Sequence, residues 1–293
     1  MDSIALAATS RLFSSSLMQE FATRGRSPTF ARLLEQSDLT MKLKSTASVK
    51  DVFELAFNTL KKTEYRNEYS YKAALIQKVL LGRHSLKSAS LLTEFRVGRC
   101  KADVAILNGT SSVYEIKSER DSLARLEEQI SEYRNFFARV NVVVAESHLS
   151  GVMRIVPQDV GIYLLSDRFQ LSTIRESVED VSKLDLSTLF ESLRIEESLK
   201  VLDMLGLKRP EVPNTLMYEA AKDIFLTQEK DSVHKAIVSV LKTNRSSVSL
   251  SELISNLPES LKPMLLTTQI RKKDHLRLLS AINTPVVEAL KWN

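Results

Sequence analysis

Asp103, Glu115 and Lys117 are the residues of this 293-residue chain whose types and spacing could do chemistry. They lie in Thr93-Glu94-Phe95-Arg96-Val97-Gly98-Arg99-Cys100-Lys101-Ala102-Asp103-Val104-Ala105-Ile106-Leu107 and in Val113-Tyr114-Glu115-Ile116-Lys117-Ser118. On a strand alternate residues share a face, so Glu115 and Lys117 point one way and Ile116 the other. Asp103 opens an otherwise apolar strand, and a carboxylate entering a buried strand needs a partner. A hairpin returns Asp103 to the neighbourhood of Glu115, where the two would repel unless a divalent cation neutralised them. Oxygen ligands suit Mg²⁺ or Mn²⁺, and magnesium held by two carboxylates keeps waters and takes phosphate oxygens. Lys117 would orient or deprotonate the attacking water, or stabilise charge on the scissile phosphate. That is metal-assisted phosphodiester hydrolysis. Glu115-Ile116-Lys117 is the only Glu-x-Lys in the chain, and its competing reading is a solvated strand face.

The elements that must position these residues are legible as short runs. Leu91 to Val97 and Cys100 to Leu107 are β-rich, Asn108-Gly109 is a hairpin turn signal, and Ser112 to Ser118 makes a third strand. A helix follows from about Ser122 to Ala138, with Leu123, Leu126, Ile130, Tyr133 and Phe137 on one stripe and Asp121 placed to cap it. Val140 to Ala145 reads as a strand covered on both faces and Gly161 to Ser166 as another, so the helix joining the flanking strands suggests a parallel β-α-β crossover. Upstream, residues 1–60 look helical and poorly punctuated, and Tyr65 to Leu81 is an amphipathic helix stopped by Gly82. From Asp185 onward the pattern is helical again. Leu186, Leu189, Phe190 and Leu193 form a stripe, Asn214 can cap a helix, and further helices cover Asp231 to Leu241 and Ser251 to Leu257.

Composition bounds the rest. Hydrophobic residues make up 43% and charged residues 26%, which excludes a disordered or fibrous chain. Glycine and proline number seven each, too few for an all-β sandwich, and the single Cys100 excludes an intrachain disulfide framework. The net charge of +5 is unevenly spread: residues 61–101 hold ten Lys and Arg against three acids, a net of +7. Such a window attracts polyphosphate, or else it is a solvated helix face. Arg271-Lys272-Lys273-Asp274-His275-Leu276-Arg277 is a second basic run, read as a solvated helix end. No apolar run is long enough to span a membrane and Asp2 stands where a secretory leader would be basic, so a soluble cytoplasmic protein is the expectation. The four histidines show no ligand spacing, and no phosphate-binding glycine loop is present.

The order helix, hairpin with Asp103, strand with Glu115-Ile116-Lys117, helix, strand resembles the restriction-endonuclease-like PD-(D/E)XK nuclease superfamily. More closely, Tyr65-Arg66-Asn67-Glu68-Tyr69, the Arg96-to-Asp103 segment, Tyr114 to Ser118 and Asp121 to Leu126 look like a family of bacterial and phage proteins within it. The resemblance covers residues 61–170, with Ala102 where many members have proline. It implies an α/β (α+β) fold, a mixed central sheet flanked by helices, with a helical N-terminal region at 1–60 and a helical C-terminal region at 185–293. It implies a Mg²⁺- or Mn²⁺-dependent nuclease acting on nucleic acid, DNA before RNA. Asp103 and Glu115 would hold the metal, Lys117 would be catalytic, and Glu68 and Gln129 would assist. Glu68 reads equally as a boundary ion pair, Gln129 as a solvated residue, and Glu94 as a third carboxylate or a cross-strand partner of Arg96 or Lys101. Arg96, Arg99 and Lys101 are candidates for phosphate contact. The alternative is a nucleic-acid- or protein-binding module that keeps the fold without cleaving, with the C-terminal helices or a second copy of the chain as protein contacts.

Overall fold

The first four helices each begin at a side chain that accepts an orphan backbone amide. Asp2 accepts from Ala5 at 2.7 Å to open α1 (Ser3–Arg11), Ser14 from Leu17 for α2 (Ser15–Arg24), and Ser27 from Phe30 for α3 (Pro28–Gln36). Ser48 and Asp51 form a capping box on α4 (Val49–Leu60). Gly25, at φ 71°, ends α2 in the left-handed conformation that glycine adopts without cost. A segment that reads as unpunctuated is therefore closely punctuated, by caps and not by prolines. Asn67 accepts the Ser70 amide, so α5 runs from Glu68 to Leu75 and passes into π-helical turns at Ile76–Leu81. The expected single helix from Tyr65 is thus replaced by a 3₁₀ turn at Thr63–Tyr65 and a later start.

The computed structural model describes residues 1–82 and 84–292. It divides into a helical unit of Met1–Val79, Asp167–Phe169 and Ser247–Asn293, and a sheet unit of Leu80–Ser166 and Gln170–Ser246.

The sheet unit is mixed α/β. Its strands are β1 (Ser90–Val97), β2 (Cys100–Asn108), β3 (Thr110–Lys117), β4 (Arg139–Ala145), β5 (Gly161–Leu165) and β6 (Leu171–Arg175), in that spatial order. The pairs β1–β2, β2–β3 and β5–β6 are antiparallel, whereas β3–β4 and β4–β5 are parallel. Gly98 (φ 52°) and Gly109 (φ 72°) turn the two hairpins. α6 (Leu126–Arg134) carries the chain from β3 to β4, and α7 (Glu146–Ile155) from β4 to β5. The expected crossover is present, but its helix starts four residues late. Asp121 does not cap it: its carboxylate accepts the amide and hydroxyl of Ser118, which holds the chain in a turn.

Four helices complete this unit: α8 (Leu186–Glu191), α9 (Ile195–Met204), α10 (Met217–Leu226) and α11 (Lys230–Asn244). Asn214 precedes α10 without capping it by its side chain. Val142 and Val144 of β4, with Leu126, Ile130 and Tyr133 of α6 and Ile237 and Leu241 of α11, share one buried apolar cluster. At about 25 cal/mol per Å² such side chains contribute roughly 1.5–3 kcal/mol each to folding. β6 is exposed along most of its length, which is why no alternating pattern announced it.

The remaining helices, α12 (Ser251–Ser255), α13 (Lys262–Thr267), α14 (His275–Ile282) and α15 (Val286–Ala289), return to the helical unit. There Trp292 packs its ring 5.8 Å from both Phe21 and Phe30, and Val49 donates its amide to Thr284 at 3.0 Å. The chain's first and last segments thus share a core. Among the described residues, no helix is long and apolar enough to cross a membrane.

Candidate functional site

β3 brings Glu115 and Lys117 onto one face, as the two-residue period requires. Both are buried, at 3% and 7% exposure. Lys117 Nζ donates to Glu115 Oε1 at 2.9 Å and to Gln129 Oε1 at 2.8 Å, and Gln129 Nε2 donates to the same Glu115 oxygen. The other oxygen, Oε2, accepts from the Tyr133 hydroxyl at 2.8 Å. Gln129 and Tyr133 lie one helical turn apart on α6, which stacks their side chains over β3.

Asp103 has a backbone role. The register of β2 with β3 runs as far as the Val104–Tyr114 pair. Beyond it, Asp103 Oδ2 accepts the amide of Ile116 at 2.8 Å and so replaces a ladder partner. Opposite, Glu94 sits at φ 55°, and one of its carboxylate oxygens lies within 4.8 Å of an Asp103 oxygen. Left-handed backbone at a non-glycine residue stores strain. Glu94 Oε2 is also 2.7 Å from Lys101 Nζ, so the geometry matches both of its readings, a carboxylate beside Asp103 and a cross-strand partner of Lys101.

Whether these groups suit a magnesium ion can be judged from their donors. Magnesium takes one or two carboxylates and completes its octahedron with waters or phosphate oxygens. Glu115 has Lys117 and Gln129 on one oxygen and Tyr133 on the other, while Asp103 is engaged by a backbone amide. In this arrangement protein donors, not an ion, satisfy the Glu115 carboxylate, while Asp103 and Glu94 bring carboxylate oxygens within 4.8 Å of each other. Lys117 likewise has its ammonium committed twice.

The remaining expected site residues have the following local partners. Glu68 belongs to the helical unit, where it pairs with Lys72 at 2.6 Å on the first turn of α5. Arg96, Arg99 and Lys101 are exposed on the β1–β2 hairpin, with Arg99 3.9 Å from Glu132 and Lys101 held by Glu94. The basic window is split: Lys61, Lys62, Arg66, Lys72 and Lys78 fall in the helical unit, and Lys87, Arg96, Arg99 and Lys101 in the sheet unit. Arg83 lies outside the described residues. Arg66 is no surface cation. It is 2% exposed, donates to the carbonyls of Lys61 and Asp167, and stacks over Phe169.

Tyr133 is the residue that sequence reasoning left in the apolar stripe. Burial, reinforced by the Glu115 carboxylate, pushes its phenol well above the ordinary tyrosine range, which keeps it a donor. The available signal was a lone tyrosine facing a strand with a glutamate to satisfy. Burial also raises the Cys100 thiol, helped by Glu128 and Glu132, so it is poorly suited to act as a nucleophile.

Comparison with known proteins adds the following. The family described as Bacteriophage P4 protein cII matches residues 61–273. Protein cII of Enterobacteria phage P4 is 37% identical over 101 residues, 34% of this chain and 38% of that protein, so the similarity spans little more than a third of the relative's length. No solved structure matches the chain. These matches overturn the resemblance to PD-(D/E)XK nucleases, and with it the assignment as a magnesium-dependent hydrolase. The motif that carried that assignment is short. Glu-x-Lys on a strand guarantees a shared face, but leaves open whether the pair serves a ligand or satisfies itself.

Proposed function

The chain belongs to the Bacteriophage P4 protein cII family, and from that premise we propose that it is a non-catalytic nucleic-acid-binding module. The observation that carries this reading is the partition of charge between the units. The helical unit has nineteen Lys and Arg against thirteen Asp and Glu, a net of +6, and the sheet unit has 22 against 23, a net of −1. A locally cationic body attracts polyphosphate through its field and through counterion release, without chemistry on the phosphate.

On this reading the sheet unit is a scaffold. Its hairpin, strand, helix, strand order is the one expected of a restriction-endonuclease-like core, and Glu115, Lys117, Gln129 and Tyr133 serve as its polar pin. The test is fluorescence anisotropy of the full chain with labelled double-stranded DNA, single-stranded DNA and RNA, in EDTA. The expected result is binding that weakens with salt, needs no divalent metal and leaves the strands intact. Failure to bind any of the three at low salt would overturn it.

A further inference from the structure

Two basic segments about 250 residues apart in sequence meet in the helical unit. Arg277 of α14 donates to the carbonyls of Ala22 and Thr23 at 3.1 and 2.8 Å, where α2 ends and its carbonyls lack partners. Its side chain crosses Gly25 so closely that a Cβ there would stand 3.1 Å from Arg277 Cγ. This contact brings the end of α2, where Arg24 and Arg26 flank Gly25, against α14, into which Arg271, Lys272 and Lys273 lead. All five are exposed.

The acids nearby are spent internally. Asp274 is 5% exposed and pairs with Arg277 at 3.0 Å, while Glu20 accepts the hydroxyls of Ser27 and Thr29. The run at 271–277, which alone reads as a solvated helix end, is therefore half of a composite cationic surface.

We infer that this surface, Arg24, Arg26, Arg271, Lys272 and Lys273, is where the chain holds the phosphodiester backbone of a nucleic acid; the inference rests on the reading of the protein as a nucleic-acid binder. Three of the five are arginines, whose planar fork matches phosphate oxygens in pairs. A membrane surface is the poorer fit. A helix lying on lipid presents a continuous apolar stripe, but α14 buries Leu278, Ala281 and Ile282 and exposes only Leu276 among its leucines as a large apolar anchor. Contacts to phosphate position a protein without reading sequence, so binding through this surface is indifferent to base order.

The experiment is salt-titrated anisotropy on the full chain with Arg24, Arg26, Arg271, Lys272 and Lys273 all changed to Gln. Arg277 is kept because it ties α2 to α14. Each phosphate contact contributes about 0.9 to the slope of log K against log salt. The expected result is binding at least about tenfold weaker near 0.1 M salt and a slope shallower by about 3–4. Should the fivefold variant melt early, the pairs Arg24→Gln with Arg26→Gln and Lys272→Gln with Lys273→Gln are read separately, each expected to lower the slope by about 2. The exposed pair Arg154→Gln with Lys208→Gln, in the sheet unit, is the control for bulk charge. If the wild type binds and the patch variants bind as well as it does, the inference falls and the broader reading stands. If the wild type binds no nucleic acid, both fall. Binding to phosphatidylserine vesicles with none to nucleic acid would replace the partner by a membrane.

Discussion

Tyr133 holds its hydroxyl 2.8 Å from Oε2 of Glu115 and 3.0 Å from the carbonyl of Lys101. One phenol on α6 thereby ties together β2 and β3. Glu115 is almost wholly buried, so each donor it receives offsets the cost of taking a carboxylate out of water.

Tyr133→Phe keeps the ring in the core and removes only the donor. The expected loss is about 1–3 kcal/mol in urea denaturation, the usual cost of leaving a buried acceptor short. A loss under about 0.5 kcal/mol would mean that Oε2 reaches solvent.

Lys117→Met should cost more, about 3–5 kcal/mol, because it strands a buried carboxylate. Adding Glu115→Gln removes the stranded charge, and the double variant should recover at least half of that loss. Under the non-catalytic reading, nucleic-acid affinity of the folded double variant equals that of the wild type.

Under the non-catalytic reading, magnesium should not stabilise the protein. A ligand at about 100 times its Kd adds roughly 2.7 kcal/mol and raises the melting temperature by several degrees. Melting curves in about 10 mM Mg²⁺ and in EDTA are expected to superimpose; a rise in Mg²⁺ that Asp103→Asn abolishes would show that the carboxylates take a metal after all.

Acid should destabilise the sheet unit in two steps. Burial holds the His234 imidazole below its ordinary 6.5, so its contribution is complete above that pH and is lost as pH falls through the depressed value. Burial alone would raise Glu197, but the Arg245 guanidinium at 2.8 and 2.7 Å and the Arg194 amide outweigh it and hold the carboxyl below its ordinary 4.5. That contribution is present above pH 4.5 and lost below it. Urea midpoints measured across pH should lose the upper step in His234→Gln and the lower step in Glu197→Gln.

The two hairpin glycines should differ. At Gly109 a Cβ meets nothing within 4 Å, so Gly109→Ala carries only the left-handed backbone cost of about 1–2 kcal/mol. At Gly98 the Cβ would also collide with Glu132 Oε2. That flexible side chain can swing away, but it then gives up its approach to Arg99. Gly98→Ala should therefore be the costlier by a measurable margin in the same denaturation assay.

The strands around Asn108-Gly109 and the β3-α6-β4 crossover were legible because local pattern specifies them: alternation, a turn dipeptide and a stripe. Glu115 and Lys117 were legible as a pair because the strand period puts them on one face, whereas Gln129 entered only through the family resemblance and otherwise read as a solvated residue. Two things had no local signal. Tyr133 has an apolar ring and a polar tip, and the stripe registers only the ring. The joining of Arg277 to the end of α2 is a contact between residues about 250 apart, and composition windows see each half as an ordinary solvated end. The enzyme reading was overturned by the family match and not by the site. Pattern brought the polar groups together, and only the count of donors on Glu115 revealed how they satisfy one another.

The helical unit draws on both ends of the chain, and this has a consequence for synthesis. A ribosome delivers α1 to α4 before the sheet unit, and α14 and Trp292 after it. Phe21 and Phe30 therefore wait without the indole that packs on them, while β1 to β6 and α6 to α11 can already close. The nascent chain should thus carry an exposed aromatic surface until Trp292 emerges, and a stall or nick after Ser246 should leave a folded sheet with a sticky, unfinished helical segment ahead of it.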